Sequence, residues 1–333
     1  MRSNCAKAIG FAAMITLAAS QARADDKYTL ALNWIPHSLH FGVYLAKERG
    51  WYHDAGIQLD IQRGYGSGDT VKRVGTGSSD FGMADAASVA LGRAHGIDTK
   101  LVAMLMDHPA DAIYFIESGT IKTPKDLEGR TMGAAAGETS LSLLPVFAKY
   151  AGIDASKIDI VTMASPNKIP SLVQKSVDTI LTFTNEEPMV KNAGRVSNVT
   201  IGRFLFADFG VDYYSIGLIA SDRLLATKPD AVKTFVGVTM RGYAESLTKP
   251  DEALDAFIKN NPESSRELMQ QQWSTLRYNI LTPDSVQHGL GYIGESKMAA
   301  TLTLMRDFQN LKDDIKPRDI YTLDALPQLT VQP

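Results

Sequence analysis

Cysteine is the first thing this sequence lacks. Its 333 residues include one, Cys5, which lies ahead of the N-terminal apolar run and not just behind it, where a lipid-modified cysteine would stand. One cysteine cannot close a disulfide within the chain. Cleavage of an N-terminal leader leaves none, which excludes thiolate chemistry and Cys-ligated zinc. Long apolar runs are missing too. The stretch over residues 9–18 is shorter than the roughly 20 residues a membrane-spanning helix needs, and no later run is longer or free of charges, so no direct membrane anchor is expected. There is no Lys/Arg run, no low-complexity tract and no short repeat, which argues against solenoid arrays. The formal charge of −3 does not suit a phosphate backbone, so nucleic acid is not an expected partner.

What is present begins with that leader. Arg2 and Lys7 precede the apolar run, which passes through small residues to Ala22-Arg23-Ala24. This is the pattern of a secretory signal over residues 1–24, cleaved after Ala24. Removing it takes away Arg2, Lys7 and Arg23 but no acid, so the charge becomes −6. About 309 residues remain, 333 less 24, enough for two domains at roughly 100–200 residues each. Without disulfides they must be held by core packing.

The remaining chain alternates strand and helix patterns. Residues 28–32 read as a strand, 40–55 as a helix with Phe41, Tyr44, Leu45 and Tyr52 recurring at three-to-four spacing, and 58–63 as a second strand. This βαβ unit closes with a parallel pair. Next come a helix at 71–75, a strand at 79–84, a helix at 87–95 and a strand at 99–106. From residue 113 the alternation restarts, with strands at 131–134, 158–162 and 179–184 and helices at 139–151 and 168–175. An extended apolar run at 214–220 leads into helices at 229–247, 250–260 and 264–275, where strands nearly vanish. The pattern predicts an α/β protein of two lobes, residues 25–112 plus 217–333 and residues 113–216, with chain crossovers near 111–115 and 212–217.

In open α/β sheets ligands bind beyond the carboxyl ends of the strands. The residues there are Asn33-Trp34, Gly64-Tyr65-Gly66-Ser67-Gly68, Asp85-Ala86-Ala87-Ser88, Gly137-Glu138-Thr139-Ser140 and Thr184-Asn185-Glu186-Glu187. Small residues, hydroxyls, amides and aromatics dominate.

The stretches LNWIPHSLHFGVYLAKERGWYHDAGIQLDI and GYGSGDTVKRVGTGSSDFGMADAASV, with TNEEP and GVDYYSIGLIASDRLL, carry a resemblance over most of residues 28–260. They resemble the periplasmic solute-binding proteins of ABC importers that capture thiamine's pyrimidine precursors. The first two blocks are shared with relatives that bind alkanesulfonates, nitrate-type anions or flavins. The resemblance implies a two-lobed periplasmic-binding-protein fold of type II with two chain crossovers and the ligand in the interlobe cleft. It also implies a monomer in the periplasm, no cofactor, a small heteroaromatic ligand and a membrane permease as partner. The same family includes a eukaryotic enzyme that builds the thiamine pyrimidine from pyridoxal phosphate and one of its own histidines, whose place His40 matches. Against an enzyme stand the export signal, the Asp212-Tyr213-Tyr214-Ser215 segment where the enzyme has a run of cysteines, and a GYGSGD loop without a lysine for a Schiff base.

Position and chemistry single out the candidate site residues. Trp34, standing just after a strand between Asn33 and Pro36, is expected to stack on a flat heterocycle rather than pack a core. Tyr213 and Tyr214 are adjacent and so point to opposite sides of an extended segment; one faces the cleft, and the sequence leaves open which. His40, near a helix N-terminus, lines the cleft by its family position, whereas His37 reads as an exposed loop residue; the pair lacks a third metal ligand. GYGSGD lacks the Lys-Ser/Thr of a P-loop and does not fit G-x-G-x-x-G. Its glycines are those of a tight turn, with Gly64, Tyr65 and the Ser67 hydroxyl candidates to face ligand. Asp85, Ser88, Gly137, Glu138, Thr139, Ser140 and Asn185 are further polar candidates. The resemblance places a glutamate in the second wall, which favours Glu187, with Glu138 in reserve, as acceptor for an amino group or protonated ring nitrogen. The expected function is capture of a thiamine pyrimidine precursor by cleft closure, with riboflavin-like or sulfonate-type solutes as alternatives.

Overall fold

The computed structural model describes residues 26–327 except 118, 137 and 313, together with all but the side chain of Thr139; the proposed leader lies outside the described residues. Strands β1 (Asp26–Ala31), β2 (Ile57–Gln62), β3 (Phe81–Asp85) and β4 (Thr99–Met104) belong to a first sheet. Strands β5 (Asp111–Ile116), β6 (Thr131–Ala134), β7 (Asp159–Thr162), β8 (Thr179–Phe183) and β9 (Ile201–Leu205) form a second, and β10 (Ile216–Ser221) returns to the first. The orders are β2-β1-β3-β10-β4 and β7-β6-β8-β5-β9. Within them β1 runs parallel to β2 and β3, and β6 parallel to β7 and β8. In each sheet one strand runs against its neighbours, β10 between β3 and β4 and β5 between β8 and β9. Both are the first strand laid down after the chain changes sheets. The result is a two-domain α/β architecture.

Local chemistry sets the element boundaries. The helix expected over 40–55 is broken into a Ser38–His40 turn, a helix Phe41–Glu48 and a short helix Trp51–Asp54, because Gly50 takes the left-handed conformation at φ 72°. Strand β9 goes unnoticed in the sequence because Gly202 and Arg203 interrupt its apolar alternation; pairing with β5 makes it a strand. The helices Pro229–Thr248 and Pro250–Asn260 each open on a proline, whose missing N–H costs nothing there. The first of them crosses Phe41–Glu48 so closely that a Cβ on Gly242 would sit 2.1 Å from the Gly42 carbonyl oxygen.

Every residue of β3 is buried. In the second sheet the pleat of β5 divides two cores: Ile113 and Phe115 pack with Phe147 and Phe206, while Ala112 and Tyr114 pack with Leu172 and Val190 on the opposite face. The crossover segments 105–110 and 206–215 lie side by side. Leu105 and Met106 N–H donate to Ile216 O at 2.9 and 2.8 Å, and Ser215 N–H donates to Met106 O at 3.1 Å. His108 on one bonds Asp212 on the other at 2.9 Å, and Lys297 reaches the same carboxylate at 2.8 Å. Among the described residues no helix is long and apolar enough to cross a membrane.

Candidate functional site

The loops after β1 and β2 are laced together beyond the strands themselves. Gly64 N–H donates to Trp34 O at 3.0 Å and Gly66 N–H to Asn33 O at 2.9 Å. Only glycine fits at 64, since a Cβ there would lie 1.9 Å from Leu32 O. The lacing lifts both loop aromatics out of the core, leaving Trp34 50% and Tyr65 66% exposed, with the Arg63 guanidinium 4.7 Å from the Tyr65 ring centroid. Behind Trp34, His40 is fully buried; its Nδ1 accepts from His37 N–H at 3.0 Å, so Nε2 carries the hydrogen and donates to Asn33 Oδ1 at 3.0 Å. That fixes the Asn33 amide with its NH₂ group turned away from His40. Burial holds the His40 imidazole well below its ordinary pKa, with His37 adding to the shift, so it is neutral. His37 is not the exposed loop residue the sequence suggests. It caps the Ser38–His40 turn, its ring centroid lies 4.5 Å from that of His40, and burial pushes it down to about 4.

The next strand end joins the same wall. Asp85 N–H donates to Ser67 Oγ at 3.1 Å, and the Asp85 carboxylate caps the helix Ala86–Ala94, accepting from Ser88 N–H at 2.6 Å and Ser88 Oγ at 3.0 Å. Ala86 N–H donates to Ser215 O at 3.0 Å, which sets Asp85 beside the second crossover. Tyr213 of the same crossover reaches a residue that the sequence reading missed. Asp111 opens β5, is 2% exposed, and accepts hydrogen bonds from the hydroxyls of Ser140 and Tyr213. Burial raises the Asp111 carboxyl, and the charge of Asp85 raises it further; the Tyr213 phenol is raised well above its ordinary value by burial, Asp111 and Asp85. The available signal was an acid opening an apolar strand at a crossover.

Several candidates take other places. Tyr214 is core: fully buried, it packs with Ile293 and Met298 and its hydroxyl accepts from Gly294 N–H at 2.7 Å. Tyr213 sends its hydroxyl to Asp111, but its ring packs with Phe206 and Val211, so the exposed tyrosine near Trp34 is Tyr65. Glu187 is not a free acceptor. Its carboxylate, 8% exposed, is paired with Arg203, with Lys191 at 2.5 Å, and with the Tyr114 hydroxyl at 3.2 Å. Tyr114 lies on the face of the second sheet opposite Ile113 and Phe115, so Glu187 stands across the sheet from the Tyr213 core. Glu138 accepts from Ala135 N–H at 2.8 Å and pairs with Lys168, which is 1% exposed and also donates to Leu181 O at 2.9 Å. Asn185 is half-buried in the Thr184–Glu186 turn. Thr139 opens the helix Thr139–Ala151, but its side chain and Gly137 lie outside the described residues. Among the described residues, no three His, Cys, Asp or Glu side chains converge as a metal site.

Residues 37–253, more than half of the chain, match the family profile described as NMT1/THI5 like. The chain is 24% identical over 259 residues to a formylaminopyrimidine-binding protein of Halalkalibacterium halodurans, covering 77% of each. It is 26% identical over 312 residues to the riboflavin-binding protein RibY of Chloroflexus aurantiacus, covering 91% of this chain and 86% of that one. A 4-amino-5-hydroxymethyl-2-methylpyrimidine phosphate synthase of Legionella pneumophila is 26% identical over 247 residues, covering 74% of this chain and 77% of that one. In structure, the periplasmic aliphatic sulphonate binding protein SsuA of Escherichia coli superposes with a TM-score of 0.68 at 14% identity, over 92% of this chain and 94% of that one. The last comparison gives the periplasmic-binding-protein fold alone.

Proposed function

This chain belongs to the NMT1/THI5 like family, and from that premise we propose that it is a periplasmic receptor for a thiamine pyrimidine precursor, delivering it to an ABC-type permease. The two domains hinge about the paired crossovers and close on the ligand without making or breaking a bond. Trp34 and Tyr65 supply aromatic surface, and Asn33 supplies amide donors.

One observation carries the choice of ligand. Asp85, ending a strand of the first sheet, and Asp111, opening one of the second, both sit against the second crossover, Asp85 through Ala86 N–H to Ser215 O at 3.0 Å and Asp111 through the Tyr213 hydroxyl. A floor with two carboxylates favours a ligand that donates N–H groups, as an aminopyrimidine does, and disfavours a sulfonate or nitrate. Each carboxylate oxygen has two lone pairs, so the Ser140 and Tyr213 hydroxyls leave Asp111 further capacity. The enclosure of His40, with both ring nitrogens bonded, supports binding over reaction at that histidine.

Thermal melts test the proposal. Formylaminopyrimidine or hydroxymethylpyrimidine at 100 times its dissociation constant should stabilise the fold by about 2.7 kcal/mol. A shift by alkanesulfonates and not by the heterocycles overturns the assignment; a shift by riboflavin alone transfers it to the flavin. Intact mass after incubation with pyridoxal phosphate should be unchanged, and a mass change at His40 would make the protein an enzyme.

A further inference from the structure

Helix Arg266–Leu276 is anchored in the first domain. Trp273 stacks on Phe41 with ring centroids 5.1 Å apart, and Met269 and Leu276 share its core. The same helix packs against the Ser38–His40 turn on one hand, and against the Thr184–Glu186 turn and the helix Glu187–Val196 of the second domain on the other. Four buried polar atoms collect on these elements with no hydrogen-bond partner among the described residues: Ser38 Oγ, Thr184 Oγ1, Gln272 Oε1 and Trp273 Nε1. Buried polar side chains are ordinarily paired, and leaving one unpaired is costly. Such a concentration around one helix that touches both domains therefore calls for a partner.

The position says what kind. Ser38 lies in the turn whose His40 ring holds Asn33, while Thr184 N–H donates to Ala110 O at 2.7 Å, one residue from Asp111. Gln272, 6% exposed, sits on the helix that touches both turns. Separation of the domains withdraws the Thr184 turn from this helix and opens the contact to solvent. We infer that helix Arg266–Leu276 is a third wall of the ligand site, and that Gln272, with the Ser38 and Thr184 hydroxyls, reads the polar edge of a planar heterocycle. A carboxamide offers an acceptor and a donor side by side. That array matches an amino group next to a ring nitrogen, as carboxamides match adenine. The inference rests on the receptor reading and extends it to the part of the chain beyond residue 253, where the family match ends.

The test compares wild type with Gln272→Met, which keeps length and removes the amide, and Thr184→Val, which keeps shape and removes the hydroxyl. Calorimetric titration with hydroxymethylpyrimidine should show binding weakened about tenfold or more in Gln272→Met and less in Thr184→Val. The melting temperature of each ligand-free variant should stay level or rise, because an unpaired buried polar atom has gone. Unchanged affinity in both variants overturns the third wall while leaving the receptor intact. If Gln272→Met melts lower, Thr184→Val decides by the same measure. A wild type that binds no pyrimidine overturns the receptor reading, and the third wall falls with it.

Discussion

Strand β1 lies second in its sheet beside β2, and β6 lies second in its own beside β7, yet the loops after these two strands are put to different uses. Behind β1 come Asn33 and a half-exposed Trp34; behind β6 comes Glu138, locked to a buried Lys168. The third places differ in the same way. At the end of β3, Asp85 caps its own helix, whereas after β8, Glu187 is clasped by Arg203 and Lys191. The first domain leaves Trp34 half-exposed and ties Asp85 by hydrogen bonds to Ser88. The second uses its acids to hold itself together, so the same mutation type should lower affinity in one domain and stability in the other.

The largest expected effect lies in the second domain. Lys168→Met leaves Glu138, its side chain only 11% exposed, without its cation and should lower unfolding free energy by about 3 kcal/mol, read by urea denaturation. The double variant Lys168→Met/Glu138→Leu should recover most of that, since a buried pair replaced by apolar groups is often neutral. A single variant as stable as wild type would break the contrast.

Next comes Glu187→Gln. As a ligand acceptor Glu187 would cost affinity when changed, but its pairing with Arg203 and Lys191 points to a cost in stability. Stability should fall by about 1.5–3 kcal/mol, because hydrogen bonds to a charged, buried group are weakened, while affinity for a pyrimidine should hold. Lost affinity at unchanged stability would return Glu187 to the cleft.

Trp34→Ala is the mirror experiment. Affinity should weaken by about 2 kcal/mol, roughly 30-fold, while the melting free energy of the ligand-free protein changes by no more than about 0.5 kcal/mol. Equal losses of affinity and stability would make Trp34 a packing residue.

The smallest effect belongs to the crossover segments that join the domains. The hydrogen bond to Asp212 raises the His108 imidazole against the opposing pulls of burial and Lys297; burial raises Asp212, but bonds from His108 and Lys297 outweigh it and hold it low. A histidine raised in the folded state stabilises below its unfolded pKa, near 6.5, and loses that contribution as pH climbs through the raised value. The His108–Asp212 contact should therefore loosen as pH rises above about 6.5, seen as faster amide exchange in the crossover segments. His108→Gln should flatten that pH dependence, and an equally steep response in the variant would exclude the pair.

Local patterns carried much of the fold. The alternation of helical and strand periods marks two α/β sections, and the extended run at 214–220 marks the return of the chain as β10. Asn33-Trp34 and GYGSGD are legible as strand-end loops because glycine, proline and amides punctuate locally. Period-two geometry requires that Tyr213 and Tyr214 part company, but which of them packs with Ile293 and Met298 depends on a helix some eighty residues away.

Short-range chemistry fixes the strand and helix periods, the breaks at glycine and proline and the aromatics after the first strands. Tertiary structure alone decided which charges are free. Glu187 and Glu138 look like open acceptors in the sequence, and become internal ties only when β9 brings Arg203 beside Tyr114 and helix Ser165–Val173 brings in Lys168. The reason is physical: a carboxylate's availability is set by the cations that the sheet and its covering helices bring within a few ångströms, and those come from distant parts of the chain.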